Sequence, residues 1–239
     1  MRFRSWAATH PGAVRTHNED SFVDRPDIGL WAVADGAGGH EAGEVASSMI
    51  AETLSAIPAG LSASELLAQV RLRVAATHQA LRDEAARRGP RAMVASTLAV
   101  LLARDGHFAC LWAGDSRVYL LRAGRMMQVT RDHSLVQDLV DSGAISAEDA
   151  DGHPRANIIT RAVGADCDTL ELEKISNHLQ AGDRFLLCSD GLSKTMDDRV
   201  IAGILSDVGD ESPAELLLAA ALDLRATDNV TAVAVQAEA

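Results

Sequence analysis

The chain has 239 residues, 47% of them hydrophobic and 23% charged, an ordinary globular balance with length enough for a large core. Asp plus Glu is 34 against 22 Lys plus Arg, a net charge of −12. That excess argues against nucleic acid or an anionic membrane as the main partner, but leaves a phosphorylated substrate open, because local charge can oppose the net value.

Arg2 to Thr9 alternates loosely, as an edge strand does. His10 to Asp20 is polar and rich in turn formers, Ser21 to Val23 leads into a short strand, and Arg25-Pro26-Asp27 turns the chain. Leu30 to Ala34 is too short an apolar run before the glycines to be a helix; it reads as a buried strand that stops at Asp35-Gly36. Helical spacing resumes over Glu44 to Ile57. Asp35 therefore stands at a strand end beside bare backbone, and two readings are open. One is a rigid carboxylate with the Gly36 carbonyl next to it, suited to a metal ion. The other is a strand–loop–helix corner in which the Asp caps the helix.

Ser62 with Glu65 forms a capping box opening a long helix, with Leu66, Val70, Val74, Leu81 and Ala85 along one face and Gly89-Pro90 at its end. His78 on this helix is expected to be solvated or at the boundary. Four β-rich runs follow, Ser96–Arg104, His107–Ala113, Arg117–Arg122 and Arg125–Val129, separated by Asp105-Gly106, Gly114-Asp115-Ser116 and Gly124. They predict an antiparallel meander. Trp31 and Trp112 are expected in the core. Leu135 to Val140 is a short helix, and the weakly patterned stretch onward to Gly164 reads as a flap, about 135–164. Thr169–Ile175 and Arg184–Cys188 read as strands, Asp198–Leu205 and Ser212–Leu224 as helices, and Val230–Val235 as a last strand. With no linker or repeat, one domain over 1–239 is expected. The element order is α+β: antiparallel sheets with helices outside them.

Cys110, Cys167 and Cys188 are an odd count with no CxxC pair, and no apolar run reaches the length of a membrane span. Cys110 and Cys188 fall in apolar strands, which points to buried structural thiols in a reducing, cytoplasmic setting.

One pattern repeats. Asp35-Gly36 and Asp190-Gly191 each follow a buried strand, Asp115 sits in a turn after one, Asp228 just precedes one, and Glu19-Asp20 adjoins one. Antiparallel packing can bring these ends to one edge. Carboxylates that close need cations, and an oxygen-only set favours a hard ion, Mg²⁺ or Mn²⁺.

The ordered blocks Gly12-Ala-Val-Arg15-Thr-His-Asn18-Glu19-Asp20, Val33-Ala-Asp35-Gly36-Ala-Gly38-Gly39-His40, Gly114-Asp115-Ser116-Arg117, Thr130-Arg-Asp132-His133-Ser134, Cys188-Ser189-Asp190-Gly191-Leu192 and Thr227-Asp228-Asn229-Val230-Thr231 resemble the metal-dependent Ser/Thr protein phosphatases of the PPM (type 2C) family in their bacterial form. The resemblance runs nearly end to end. It implies a sandwich of two antiparallel sheets with helices on both outer faces and a flap beside the active site. It implies two Mn²⁺ or Mg²⁺ ions bridged by Asp35, with the Gly36 carbonyl on one and Asp190 and Asp228 on the second. Asp20 and Glu19 orient bound waters or ligate directly, and Asp115 with Asp190 completes a third site. Arg15 grips the substrate phosphate. The implied reaction is attack of activated water in line with the leaving seryl or threonyl oxygen, with no phosphoenzyme. Eukaryotic members carry a histidine after the Asp-Gly as proposed general acid; here that residue is Ala37, and His40 comes later, so the general acid stays unassigned. His17 and His133 adjoin motif residues, with an orienting hydrogen bond as the alternative to a chemical role. The implied partners are phosphorylated proteins and an opposing Ser/Thr kinase, with no nucleic acid and no membrane, for a monomer in the cytoplasm. A small-metabolite phosphatase and a non-catalytic phosphoprotein-binding module are the competing readings.

Overall fold

The computed structural model of the chain describes residues 1–38, 41–150, 152–207, 209 and 211–238. The Gly39-His40 end of the glycine motif lies outside them. One antiparallel sheet contains, in spatial order, β1 (Arg2–His10), β11 (Val230–Glu238), β10 (Arg184–Cys188), β7 (Arg117–Arg122) and β8 (Arg125–Gln128). The other contains β2 (Asp20–Arg25), β3 (Leu30–Ala37), β5 (Leu98–Arg104), β6 (His107–Ala113) and β9 (Glu173–His178), with the short β4 (Ala95–Ser96) on the end of β3.

The central strands are apolar on both faces because both are covered. In β5, Leu98, Val100 and Leu102 face α1 (Ala42–Ser55) and α2 (Ala63–Arg88), while Ala99, Leu101 and Ala103 face the other sheet. In β10, Phe185 and Leu187 point between the sheets. Leu186 and Cys188 point outward to α6 (Asp198–Ser206) and α7 (Pro213–Asp223). The period-2 geometry of a strand thus splits the core into three apolar layers. Aromatic edges close the middle layer, with Phe108 and Phe185 ring centroids 5.0 Å apart. This is the expected helix–sheet–sheet–helix sandwich. The two expected core tryptophans are buried, each with its indole N–H satisfied: Trp31 on Asp24 Oδ1 at 3.0 Å and Trp112 on the Arg131 carbonyl at 2.7 Å.

Four expectations need correction. The meander is broken in the middle: β5–β6 belong to one sheet and β7–β8 to the other, so Gly114-Asp115-Ser116 is a corner that crosses between sheets. Gly114 makes it with φ +113°, and a Cβ there would stand 2.6 Å from the Thr97 side chain. The strand expected at Thr169–Ile175 lies at Glu173–His178 instead; Leu170 and Leu172, which suggested it, pack under the first helical layer. Asp35 caps no helix, because the N-cap of α1 is Glu41. His78 is neither solvated nor at a boundary but buried, 3% exposed.

His78 joins α2 to the exit of the flap. Its Nδ1 accepts from the Gly164 N–H at 2.9 Å and its Nε2 lies 2.9 Å from the Cys167 carbonyl, so the ring carries its proton on Nε2. His78→Leu orphans both backbone groups and is expected to cost about 2–4 kcal/mol, read as a lowered urea midpoint at constant m-value.

The flap is pinned at its base by the bridge Ser134↔Ile159 and carries α3 (Leu135–Asp141) and the single turn α4 (Ala147–Ala150). A one-turn helix, α5 (Asp190–Ser193), follows β10 directly.

Candidate active site

Five aspartates leave the sandwich at one edge. Asp20 opens β2 and pairs in register with Asp35 of β3. Asp115 sits in the corner between the sheets, Asp190 begins α5, and Asp228 just precedes β11. The two sheets are stapled here by Asp20, whose Oδ2 accepts from Ser189 Oγ and Thr231 Oγ1, both at 2.7 Å. Asn229 clamps the loop before β2. Its Oδ1 accepts from the Glu19 N–H at 2.8 Å, and its Nδ2 donates to the carbonyls of Pro11 and His17 at 3.0 and 2.9 Å. Ser189, Thr231 and Asn229 stand inside the motif blocks, but no sequence signal marked them as the supports of the site.

Burial above all pushes Asp20 up to about 7; the two hydroxyls oppose this, and Asp190 and Asp228 add repulsion. Burial, then the charges of Asp20, Asp190 and Asp115, hold the Asp35 carboxyl well above the usual carboxylate range. Asp115 is raised by burial and by Asp190. The Asp20–Asp35 register pair, the Asp20 bonds to Ser189 and Thr231, and one lysine, Lys194, that reaches both Asp115 and Asp190 bring these side chains into one region.

Backbone contacts fix Asp35. Its N–H donates to Thr97 Oγ1 at 3.1 Å, and its carbonyl accepts from Ser96 Oγ at 2.9 Å and the Thr97 N–H at 2.8 Å. Thr97 Oγ1 also lies 2.7 Å from Ser116 Oγ, which ties β3 to the Asp115 corner. His133 orients that corner from the other side, its Nδ1 accepting from the Gly114 N–H at 3.1 Å and its own N–H donating to the Gly114 carbonyl at 2.9 Å. The orienting role is therefore the one observed for His133. Gly36 donates to the Glu19 carbonyl at 3.1 Å, and a Cβ on it would stand 2.1 Å from the Gly43 carbonyl, so only glycine lets α1 approach β3 here. Glu19 lies against Gly43 at the start of α1; burial raises its carboxyl and Arg15 lowers it.

Two cations touch the acidic cluster. Arg15 Nη2 donates to Asp228 Oδ2 at 2.9 Å, with both side chains about half exposed. Lys194, which lies beyond the motif blocks and was not singled out in the sequence, donates to Asp190 Oδ2 at 2.7 Å and Asp115 Oδ2 at 3.0 Å. Clefts flank the cluster on both sides. One of about 640 Å³ is lined by Arg15, His17, Glu19, Glu41 and Glu44. The other, of about 610 Å³, lies under the flap and is lined by Asp115, Asn157, Lys194, Asp197 and Asp198.

Among the described residues no three Asp, Glu, His or Cys side chains are placed so that they could together hold one ion as they stand. The carboxylates instead lean on Lys194, Arg15, Ser189 and Thr231. The donor chemistry nevertheless fits a hard divalent cation: every candidate ligand is an oxygen, and Asp20 Oδ1 and Asp115 Oδ1 are buried with no hydrogen-bond partner among the described residues. A buried carboxylate oxygen without a donor is costly unless something positive comes to it.

The protein phosphatase 2C profile matches residues 13–211. The serine/threonine protein phosphatase PstP of Mycobacterium tuberculosis is 37% identical over 227 residues, 95% of this chain; the chain spans 43% of the length of that relative. Among solved structures, PppA, a key regulatory component of the T6SS in Pseudomonas aeruginosa, is similar with TM-score 0.90 and 43% identity over 99% of this chain and 98% of that one. The catalytic domain of PstP in complex with two manganese ions gives TM-score 0.88 and 35% identity over 99% of both chains. Its sandwich, its acidic edge and a family profile that spans most of its length agree: the chain is a member of the protein phosphatase 2C family.

Proposed function

We propose that the chain is a divalent-metal-dependent phosphatase that hydrolyses phosphoserine and phosphothreonine in bacterial proteins. The observation that carries this reading is the meeting of Asp20, Asp35, Asp115, Asp190 and Asp228 at one sheet edge beside Arg15. Asp35, Asp190 and Asp228 hold two Mn²⁺ or Mg²⁺ ions, with the Gly36 carbonyl, and Asp20 and Glu19 complete or orient the sphere. When bound, such ions lower the pKa of a shared water and neutralise charge on the phosphoryl oxygens. Asp20 Oδ1, without a hydrogen-bond partner among the described residues, supports this assignment, and so does the two-manganese complex of the PstP catalytic domain.

The chain's own residues supply the rest. The half-exposed guanidinium of Arg15 offers a planar fork for two phosphate oxygens, and Asp228 keeps it at the mouth of the cleft. The Asp20 staple and the Thr97–Asp35 hydrogen bonds hold the carboxylates in place, so little reorganisation remains when substrate arrives. Burial lifts the thiols of Cys110 and Cys188 far above the ordinary range, to about 12 for Cys188, and neither serves as a nucleophile.

The physiological setting follows as one reading. A single catalytic domain over 1–239 works as a monomer in the cytoplasm and opposes a Ser/Thr kinase. Three free cysteines support a reducing compartment, and no helix among the described residues is long and apolar enough to cross a membrane. The test is side-by-side hydrolysis of a phosphothreonine peptide and of small metabolite phosphates with Mn²⁺. The peptide is expected to turn over faster, and a metabolite turned over faster contradicts the reading. Arg15→Ala is expected to raise KM for the peptide by roughly 10- to 100-fold, the loss of a bidentate charged pair in a half-open site, with a smaller fall in kcat.

A further inference from the structure

Lys194 contacts two aspartates of the cluster where Arg15 contacts one, and its setting is unusual for a surface lysine. Its ammonium donates to three oxygens from three parts of the chain: Asp190 Oδ2 at 2.7 Å on α5, Asp115 Oδ2 at 3.0 Å in the inter-sheet corner, and Asn157 Oδ1 at 3.1 Å on the flap. Asp115 is 2% exposed, and it has no other cation within salt-bridge distance among the described residues. The approach is fixed by local geometry. Lys194 ends the single turn that Asp190 begins, its N–H donating to the Asp190 carbonyl at 2.8 Å, so the i,i+4 spacing returns its side chain over the Asp190 carboxylate. Burial works against the charge, but Asp190 and Asp115 outweigh it and hold the lysine above its ordinary range.

We infer that Lys194 is a built-in cation that fills the position between Asp115 and Asp190 in place of a third divalent ion, and that it latches the flap to the acidic cluster through Asn157. The inference rests on the metal-dependent reading above. It makes Lys194 a positioning residue: it neutralises one edge of the cluster permanently, and an ammonium carries no exchangeable water. The same contact gives the flap a fixed point over the cleft that Asn157 and Lys194 line, so occupancy of this edge and flap position are one variable.

The experiment is Mn²⁺ stoichiometry on the full chain, by equilibrium dialysis with elemental analysis, together with amide hydrogen exchange in chelator. The wild type is expected to saturate at two ions. Lys194→Met is expected to take up a third, and to lose it again when Asp115→Asn is added. In chelator, Lys194→Met is also expected to speed exchange of amides around Asn157 by about tenfold or more, the loss of a charge-assisted latch. Lys194→Gln serves the same comparison if the methionine variant fails to fold. Three ions on the wild type, or two on a folded Lys194 variant with unchanged flap exchange, overturn this inference and leave the metal-dependent reading standing. A wild type that takes up no Mn²⁺ overturns both.

Discussion

Asp35→Asn is expected to lower Mn²⁺-dependent hydrolysis of a phosphothreonine peptide by about 10³-fold or more, which is roughly 4 kcal/mol of transition-state stabilisation. The same change is expected to leave the protein folded, with a melting temperature in chelator equal to or above that of the wild type. The two outcomes belong together. Asp35 sits among Asp20, Asp190 and Asp115, and burial makes its charge expensive when no cation is present. Asparagine keeps the shape and removes one of the mutually repelling charges, so the metal-free fold gains while a carboxylate proposed to hold the metal ions is lost. Its backbone hydrogen bonds to Thr97 and Ser96 do not involve the side chain and survive. Asp190→Asn is expected to behave likewise in activity. Retained activity in both variants rejects the assignment, and unfolding of Asp35→Asn rejects the view that the carboxylate is there for ions and not for the fold.

In chelator, the wild-type protein is expected to lose stability as pH rises from about 4 to about 7, and Mn²⁺ is expected to remove most of that loss. The sign follows from Asp20, whose folded-state pKa is lifted from 3.8 to about 7. Between those values the folded chain keeps a proton that the unfolded chain has already released, so each step up in pH favours unfolding. The lost stability from this one group is on the order of a few kcal/mol across that window. Asp35 and Asp115 are shifted in the same direction and add to the fall. Asp20→Asn is expected to flatten the profile in chelator. The check is urea unfolding at several pH values with and without Mn²⁺; a metal-free stability that rises across this window contradicts the cluster's electrostatics.

Much of this architecture was readable from residue order. The double-sided apolar run Leu98–Ala103 announces a strand covered on both faces, the Ser62/Glu65 pair fixes the start of α2, and Asp35-Gly36 and Asp190-Gly191 mark strand ends that bear carboxylates. The crossing at Gly114-Asp115-Ser116 was not readable, because a hairpin turn and an inter-sheet corner use the same residue types; partner choice is decided by packing, here of β6 on β5 and β9 and of β7 on β10 and β8. β9 lies later than the Thr169–Ile175 alternation suggests because all six of its residues are exposed, which removes the alternation that identifies a half-buried strand. In the site, Asp35, Asp115 and Asp190 carried a signal in their glycine neighbours, and Asp20 and Asp228 in their place beside a strand. Lys194 carried none: its role depends on the turn of α5 and on the flap coming down to within reach of its ammonium. The staple of Asp20 by Ser189 and Thr231 was hidden for the same reason, since hydroxyls distant in sequence take on meaning only once the sheets are face to face.

The most direct measurement is anomalous diffraction at the manganese edge from crystals grown with Mn²⁺. Two peaks roughly 4 Å apart are expected at the sheet edge. The Asp35 carboxylate should lie between them, with Asp190 and Asp228 on one, and Lys194 still between Asp115 and Asp190. Peaks located away from these side chains, or a single peak that Asp35 does not touch, contradict the account.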